Sequence, residues 1–254
     1  MLTILTILFS SWNSKTLNFP KLKKESKQAF TTGEKLKFSI GLGFIDAGYA
    51  EFEISPYKND KAYYHVIGRG YSSKTVDWFF KVRDKYETII DSSTLCPAEF
   101  IRSVEEGNAS FKQHYIFDQK EQKVFDGKDT ISTCAKIQDM MSCYFYARNL
   151  ELKSLKKGEI LTFPTFVDSE TFNLKIKFLG KENIEINAGK FKALKFCPVV
   201  QKGRVFEDEE SLTVWISDDY NKIPLLVKAK IWVGSIKMEL IEINGNLNKI
   251  GFSK

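Results

Sequence analysis

A chain of 254 residues that is 43% hydrophobic, 28% charged and 14% aromatic, with net charge +6, can bury a sizeable core and is too apolar to stay disordered. Glycine is too scarce for collagen, no heptad persists, and no apolar run reaches the roughly 18 residues of a membrane-spanning helix. The positive charge is no nucleic-acid footprint. Lys15, Lys21, Lys23, Lys24 and Lys27 face Glu25 alone near the start, and the rest of the chain mixes both signs, so no nucleic acid is expected as a partner.

The chain opens with the apolar run Met1–Phe9, followed by Ser10, Ser11, Trp12, Asn13 and Ser14. This pattern predicts a secretory signal over residues 1–20, although no Lys or Arg precedes the run, and leaves 21–254 as a single β-rich domain. No cysteine near residues 8–20 offers a lipoprotein anchor.

Beyond the leader the dominant period is two. Leu36, Phe38, Ile40 and Leu42 alternate with Lys35, Lys37, Ser39 and Gly41, and Ala50, Phe52 and Ile54 with Glu51 and Glu53. The pattern returns in Phe172–Phe178, Leu212–Ile216 and Leu225–Val233. Such strands hide one face and wet the other, the antiparallel pattern. Turn signals punctuate them at Lys58-Asn59-Asp60, Glu106-Gly107-Asn108, Asp126-Gly127-Lys128, Lys157-Gly158-Glu159, Gly180-Lys181-Glu182-Asn183, Lys202-Gly203 and Asn244-Gly245-Asn246. The expected fold is all-β: a long antiparallel meander curled into an open or closed barrel, because a flat sheet of that length would strain its twist and expose two edges.

One segment breaks the alternation. Asp139–Leu150 reads as a short helix near 139–150, with Asp139 capping its first turn, Met141, Tyr144, Phe145 and Arg148 at helical spacing, and Arg148 at the negative end of the dipole. It is placed to cover one mouth of the curled sheet, with Lys153–Gly158 separating two halves of that sheet. A second helical turn fits Ser73–Phe80.

Chemistry-bearing constellations are sparse. His65 and His114 lie in strands with no nucleophile motif beside them and read as outward-facing polar residues. Asp218-Asp219 follows Trp215-Ile216-Ser217 and precedes Asn221 and Pro224; it reads as a capped turn, with a divalent-cation pair as the sharper alternative. Glu207–Glu210 reads as a solvated loop, and Gly68-Arg69-Gly70 lacks the spacing of a phosphate loop. Cys96, Cys134, Cys143 and Cys197 form no C-x-x-C pair; they read as buried small hydrophobes, with one disulfide as the alternative. No catalytic residue, metal or cofactor is expected. The aromatics Tyr63, Tyr64, Tyr71, Trp78, Phe79, Phe80, Tyr144, Phe145 and Tyr146 either fill the interior or line an apolar pocket.

Several stretches together resemble one bacterial envelope family, domain of unknown function 3108: Gly33–Phe38 with Phe44–Gly48, Val82–Tyr86 with Ile90-Asp91 and Leu95–Pro97, Asp139–Ser142 through Tyr146–Arg148, and, in the last third, Ala188–Phe191, Trp215 with Asp218-Asp219, Ile223–Leu225 and Val233-Gly234-Ser235. The resemblance spans about residues 30 to 243 and marks Asp139, Arg148, Trp215, Asp218, Asp219 and Gly234 as motif positions. It implies a β-rich protein exported in Gram-negative bacteria, to the periplasm or the outer-membrane periphery, with no assigned reaction. The architecture is also similar to lipoprotein-carrier half-barrels capped by helices, a likeness of fold alone. The expected function is non-enzymatic: binding of a lipid-like or other apolar ligand in the curled sheet. The alternative is an envelope assembly or scaffold protein that pairs through a strand edge; a hydrolase using Asp218, Asp219 or His114 ranks last.

Overall fold

The computed structural model describes residues 24–25, 27–58, 60–199, 211–231 and 234–252. The expected signal segment 1–20, the Lys202-Gly203 turn, the Glu207–Glu210 run, Asn59 and Val233 lie outside the described residues. In chain order the elements are β1 (Lys35–Leu42), β2 (Ile45–Tyr57), β3 (Asp60–Ser72), α1 (Lys74–Asp77), β4 (Arg83–Asp91), β5 (Pro97–Glu106), β6 (Ala109–Asp118), β7 (Lys123–Phe125) and β8 (Thr130–Ser132). They continue with α2 (Ser142–Arg148), β9 (Ile160–Val167), β10 (Glu170–Ile186), β11 (Gly189–Pro198), β12 (Leu212–Ser217), β13 (Pro224–Ile231) and β14 (Gly234–Asn244).

The fourteen strands form one sheet in the order β8-β7-β6-β5-β4-β3-β2-β1-β14-β13-β12-β11-β10-β9. β1 pairs antiparallel with β2 on one side and β14 on the other. The chain therefore meanders out to the β8 edge, crosses through α2 and the Lys153–Gly158 stretch, and meanders back from the β9 edge. Alternation works as read: Leu36, Phe38 and Ile40 are buried and Lys35 is exposed.

The sheet is curled but not closed by a ladder. Its seam is bridged by other means. The backbone of Gln138 bonds to Pro164 and Phe166 on β9. Asp168, in the β9–β10 turn, accepts from Arg102 Nη2 at 2.5 Å and Gln113 Nε2 at 3.2 Å. The Phe166 ring meets Tyr115 and Phe117 edge-on, with centroids 5.1 and 6.1 Å away.

Helix α2 lies on the concave side. Met141 and Phe145 join the cluster of Leu36, Phe38, Val66, Tyr86, Phe100, Tyr115, Phe166 and Leu240. Cys143, on the helix's other side, packs with Leu161, Phe163, Phe178, Leu194 and Phe196. Each such buried side chain stabilises the fold by about 1.5–3 kcal/mol relative to exposure. Gly68 makes room for the helix: a Cβ there would meet the Phe52 ring at 3.1 Å and the Met141 methyl at 3.3 Å.

Three local expectations need correction. The helix spans seven residues rather than 139–150; Leu150 is already past its end. Gly180–Asn183 is no turn but part of the long strand β10, where the register against β11 shifts between Phe178 and Gly180 and Gly180 takes φ +124°. A bulge uses the same left-handed freedom of glycine as a turn, so composition alone does not separate them. Finally, Trp78, Phe79 and Phe80 do not enter the interior. They follow a single helical turn that buries none of its residues.

Candidate functional site

Two places stand out. The first is a buried polar hub at the C-terminal end of α2. Arg148 lies in the last turn of the helix, as read from sequence, but is only 1% exposed. Its Nη1 and Nη2 donate to the two oxygens of Glu34 at 2.6 and 2.9 Å, and its Nε to the Asn221 carbonyl at 2.8 Å. The guanidinium stacks on Phe30, Tyr144 and Phe145. Bidentate pairing of this kind fixes orientation as well as charge. Asn221 extends the hub by accepting from Asn248 N and donating to the Asn248 carbonyl.

Asp219 holds the turn that presents Asn221. Its Oδ1 accepts from Ser217 Oγ, Asn221 N and Lys222 N at 2.8 to 3.1 Å, and its Oδ2 from Gly251 N at 2.8 Å. Asp218 points elsewhere and pairs with Lys181 at 2.9 Å. The two carboxylates thus serve different partners, which is the capped-turn arrangement. No group of three or more metal-ligating side chains occurs among the described residues. Replacing Asp219 by alanine leaves three backbone donors unserved and is expected to cost about 2 kcal/mol in urea unfolding. The exposed pair of Asp218 should be worth under about 1 kcal/mol. Equal losses from the two variants would contradict this division.

At the other end of α2, Asp139 is fully buried and accepts from Thr88 Oγ1 on β4 at 2.6 Å and from Met141 N and Ser142 N at 2.7 and 2.8 Å. It caps the helix start, as read from sequence, and also ties it to the sheet. Burial raises its carboxyl from 3.8 to about 6, against the pull of those donors. The folded chain therefore holds a proton that the unfolded chain gives up. The stability this group contributes is fully present below about pH 4 and is lost as pH rises to about 6. Urea midpoints for Asp139→Asn relative to the parent chain should rise across that window; a difference that stays flat with pH would refute the assignment.

The remaining sequence candidates are structural in this geometry. Trp215 is nearly buried in the main cluster, donates its Nε1 to Glu182 and lies under Lys195 and Lys228. Gly234 begins β14 with φ +131°. His65 bonds Glu87 at 2.9 Å and His114 bonds Glu99 at 2.7 Å. Cys96, Cys134 and Cys143 are free thiols, and burial pushes the Cys143 thiol up to about 12. Two surface clefts, of about 120 and 180 Å³, are lined mostly by charged side chains of both signs, among them Glu25, Lys153 and Asp218 in one and Lys37, Glu51 and Arg69 in the other.

The second place was missed from sequence. At the end of the barrel where β1 turns into β2 and β3 leads into α1, Phe44, Ile45, Trp78, Phe79 and Phe80 are all exposed, Trp78 by 91% and Phe79 by 65%. The two segments are joined: Ser73 N donates to the Ala47 carbonyl at 3.0 Å and Ser73 Oγ to that of Asp46 at 2.7 Å. Phe80 leans on the β5–β6 turn, where a Cβ on Gly107 would come within 2.8 Å of its ring. The strap is anchored below by Arg83 Nη2 on Asp77 at 2.6 Å and by Ser72 Oγ, which accepts from Val82 N at 2.8 Å. Hydrogen bonds from Arg83 and Ser72 hold the Asp77 carboxyl at about 2. Exposed apolar side chains gathered on neighbouring, hydrogen-bonded segments mark a candidate interaction surface.

The fold is similar to that of a β-barrel-like protein of domain of unknown function DUF1849 from Brucella abortus, 9% identical, which aligns over 85% of this chain and 98% of its own with a TM-score of 0.55. A hypothetical protein of Chlamydia trachomatis is 10% identical over 92% of this chain and 99% of its own, with a TM-score of 0.39. The chain belongs to the family described as Protein of unknown function (DUF3108), which it matches over residues 37–241. No curated protein matches the sequence. No described helix is long and apolar enough to cross a membrane.

Proposed function

We propose that this chain is a non-enzymatic exported envelope protein that engages an apolar partner through the exposed end of its barrel rather than inside it. The observation that carries this reading is the Phe44, Ile45, Trp78, Phe79 and Phe80 cluster, held on a hydrogen-bonded base. Interior binding of a lipid-like ligand has less support, because α2 and the aromatic side chains around it occupy the concave side. Strand-edge pairing has less support too: β8 is three residues long, and β9 carries Pro164 and is already bonded to Gln138. Export rests on the apolar N-terminal run and the family resemblance.

Two measurements test the reading. Fractionation should recover the chain outside the cytoplasm with its leader removed. A photo-crosslinking residue at position 78 should give adducts in intact cells, while the same residue at Lys112 gives none. Cytoplasmic recovery would refute export, and equal labelling at both positions would refute docking through this end.

A further inference from the structure

We infer that the partner of the apolar end is the interface of a phospholipid bilayer, with Trp78-Phe79-Phe80 and Phe44-Ile45 as two adjacent insertion loops; this rests on the docking reading above. The shape argues for a bilayer. The residues project from a hairpin tip and from the end of a one-turn helix, and Phe44 is fully exposed, touching no enclosing wall of its own chain. A protein partner would have to supply a separate pocket for each ring, whereas the acyl boundary of a membrane accepts any apolar wedge.

Composition agrees. Tryptophan favours the boundary between headgroup and acyl chain, where its ring is buried and its N–H stays wet. Exposed Lys74 and Lys81 flank the aromatic triplet. Asp77, the acidic residue between them, is neutralised by its bonded pair with Arg83. Over residues 73–83, Lys74, Lys81 and Arg83 outnumber Asp77, while Asp46 on the hairpin loop and Glu105 and Glu106 on the adjoining β5–β6 turn offset that excess, so insertion rests on the apolar side chains and not on net charge. Asp46, beside Ile45, accepts from Tyr49 Oη and is the one acidic group on the hairpin loop Gly43–Asp46. The loops are preorganised: the Ser73 bonds to Asp46 and Ala47 fix one segment against the other, so little ordering accompanies insertion.

The test is flotation of the purified chain with vesicles of phosphatidylethanolamine and phosphatidylglycerol, together with quenching of its tryptophan emission by brominated acyl chains. The parent chain should float and be quenched. The triple variant Phe44→Ser, Trp78→Ser, Phe79→Ser should lose about tenfold or more of its partitioning while keeping its circular dichroism and urea midpoint, because these side chains support no core. The variant Trp78→Phe should still float but lose most of the quenching, which locates the insertion. Parent chain that stays with the aqueous fraction, or flotation unaffected by the triple substitution, overturns the inference. If vesicles are ignored yet position 78 still crosslinks in cells, the bilayer assignment fails while the docking function survives; if both fail, the two readings fall together.

Discussion

Replacing Arg148 with alanine is expected to lower folding stability by about 3–5 kcal/mol, the largest effect of any single side chain discussed for this fold. The reason is not that the ion pair is strong in itself. Arg148 and Glu34 are each 1% exposed, so both charges gave up water on folding and recovered it only through each other, the Asn221 carbonyl and the Ala29 carbonyl. Removing the guanidinium strands a buried carboxylate and leaves Phe30, Tyr144 and Phe145 around a void. For a domain of this size the loss corresponds to on the order of 10 °C in melting temperature. Glu34→Ala should be comparably damaging. The double change Glu34→Leu with Arg148→Met should recover part of the loss, since neither charge then remains buried. Urea unfolding of the three variants decides: a loss below about 1 kcal/mol for Arg148→Ala would show that the hub does not hold the fold.

The second large effect lies at the seam and is asymmetric. Arg102 is buried on the concave side of β5, its Nη2 reaches Asp168 across the seam, and its Nε and Nη1 make no hydrogen bond. Asp168 is half exposed. Removing the arginine as Arg102→Met keeps most of the volume and takes away a poorly served buried charge, so it should cost under about 1 kcal/mol or stabilise. Removing the acid as Asp168→Ala leaves that charge buried without its counter-ion and should cost about 2–3 kcal/mol. It also frees the β9–β10 turn from β5 and β6, so amide exchange should quicken at Phe166 and Val167 more than at β1. Equal costs for the two variants, or unchanged exchange at the seam, would mean that packing of Phe166 on Tyr115 and Phe117 closes the barrel unaided.

Much of the architecture is legible in residue order. Leu36, Phe38 and Ile40 against Lys35 and Lys37 determine a strand with one wet face, and repetition of that pattern between Asn, Asp and Gly signals determines a meander. The Asp139 cap and the apolar spacing of Met141 and Phe145 determine a helix inside it. These are local facts: side-chain direction follows backbone period, and a period can be counted. The family motif was legible too, but its meaning was not. In sequence Asp139 and Asp219 read as local caps and Arg148 as a charge at a helix end, and none of these local roles names a partner across the fold. The three residues lie 9 and 71 positions apart, and only the folded chain brings Arg148 against the turn that Asp219 holds, with Glu34 from a third segment as the counter-charge.

The same limit hid the surface. Trp78-Phe79-Phe80 is as apolar as any core strand, and hydrophobicity alone assigns it inward. Whether a side chain is buried is settled by what stands opposite it, a property of the tertiary arrangement rather than of the residue. The sequence by itself determined an all-β meander with a short helix, because alternation and turn chemistry are written in neighbours. Only the tertiary structure decided that β1 pairs with β14, that the motif charges form an internal lock, and that one aromatic cluster is left facing outward, because each of those depends on segments far apart in the chain meeting in space.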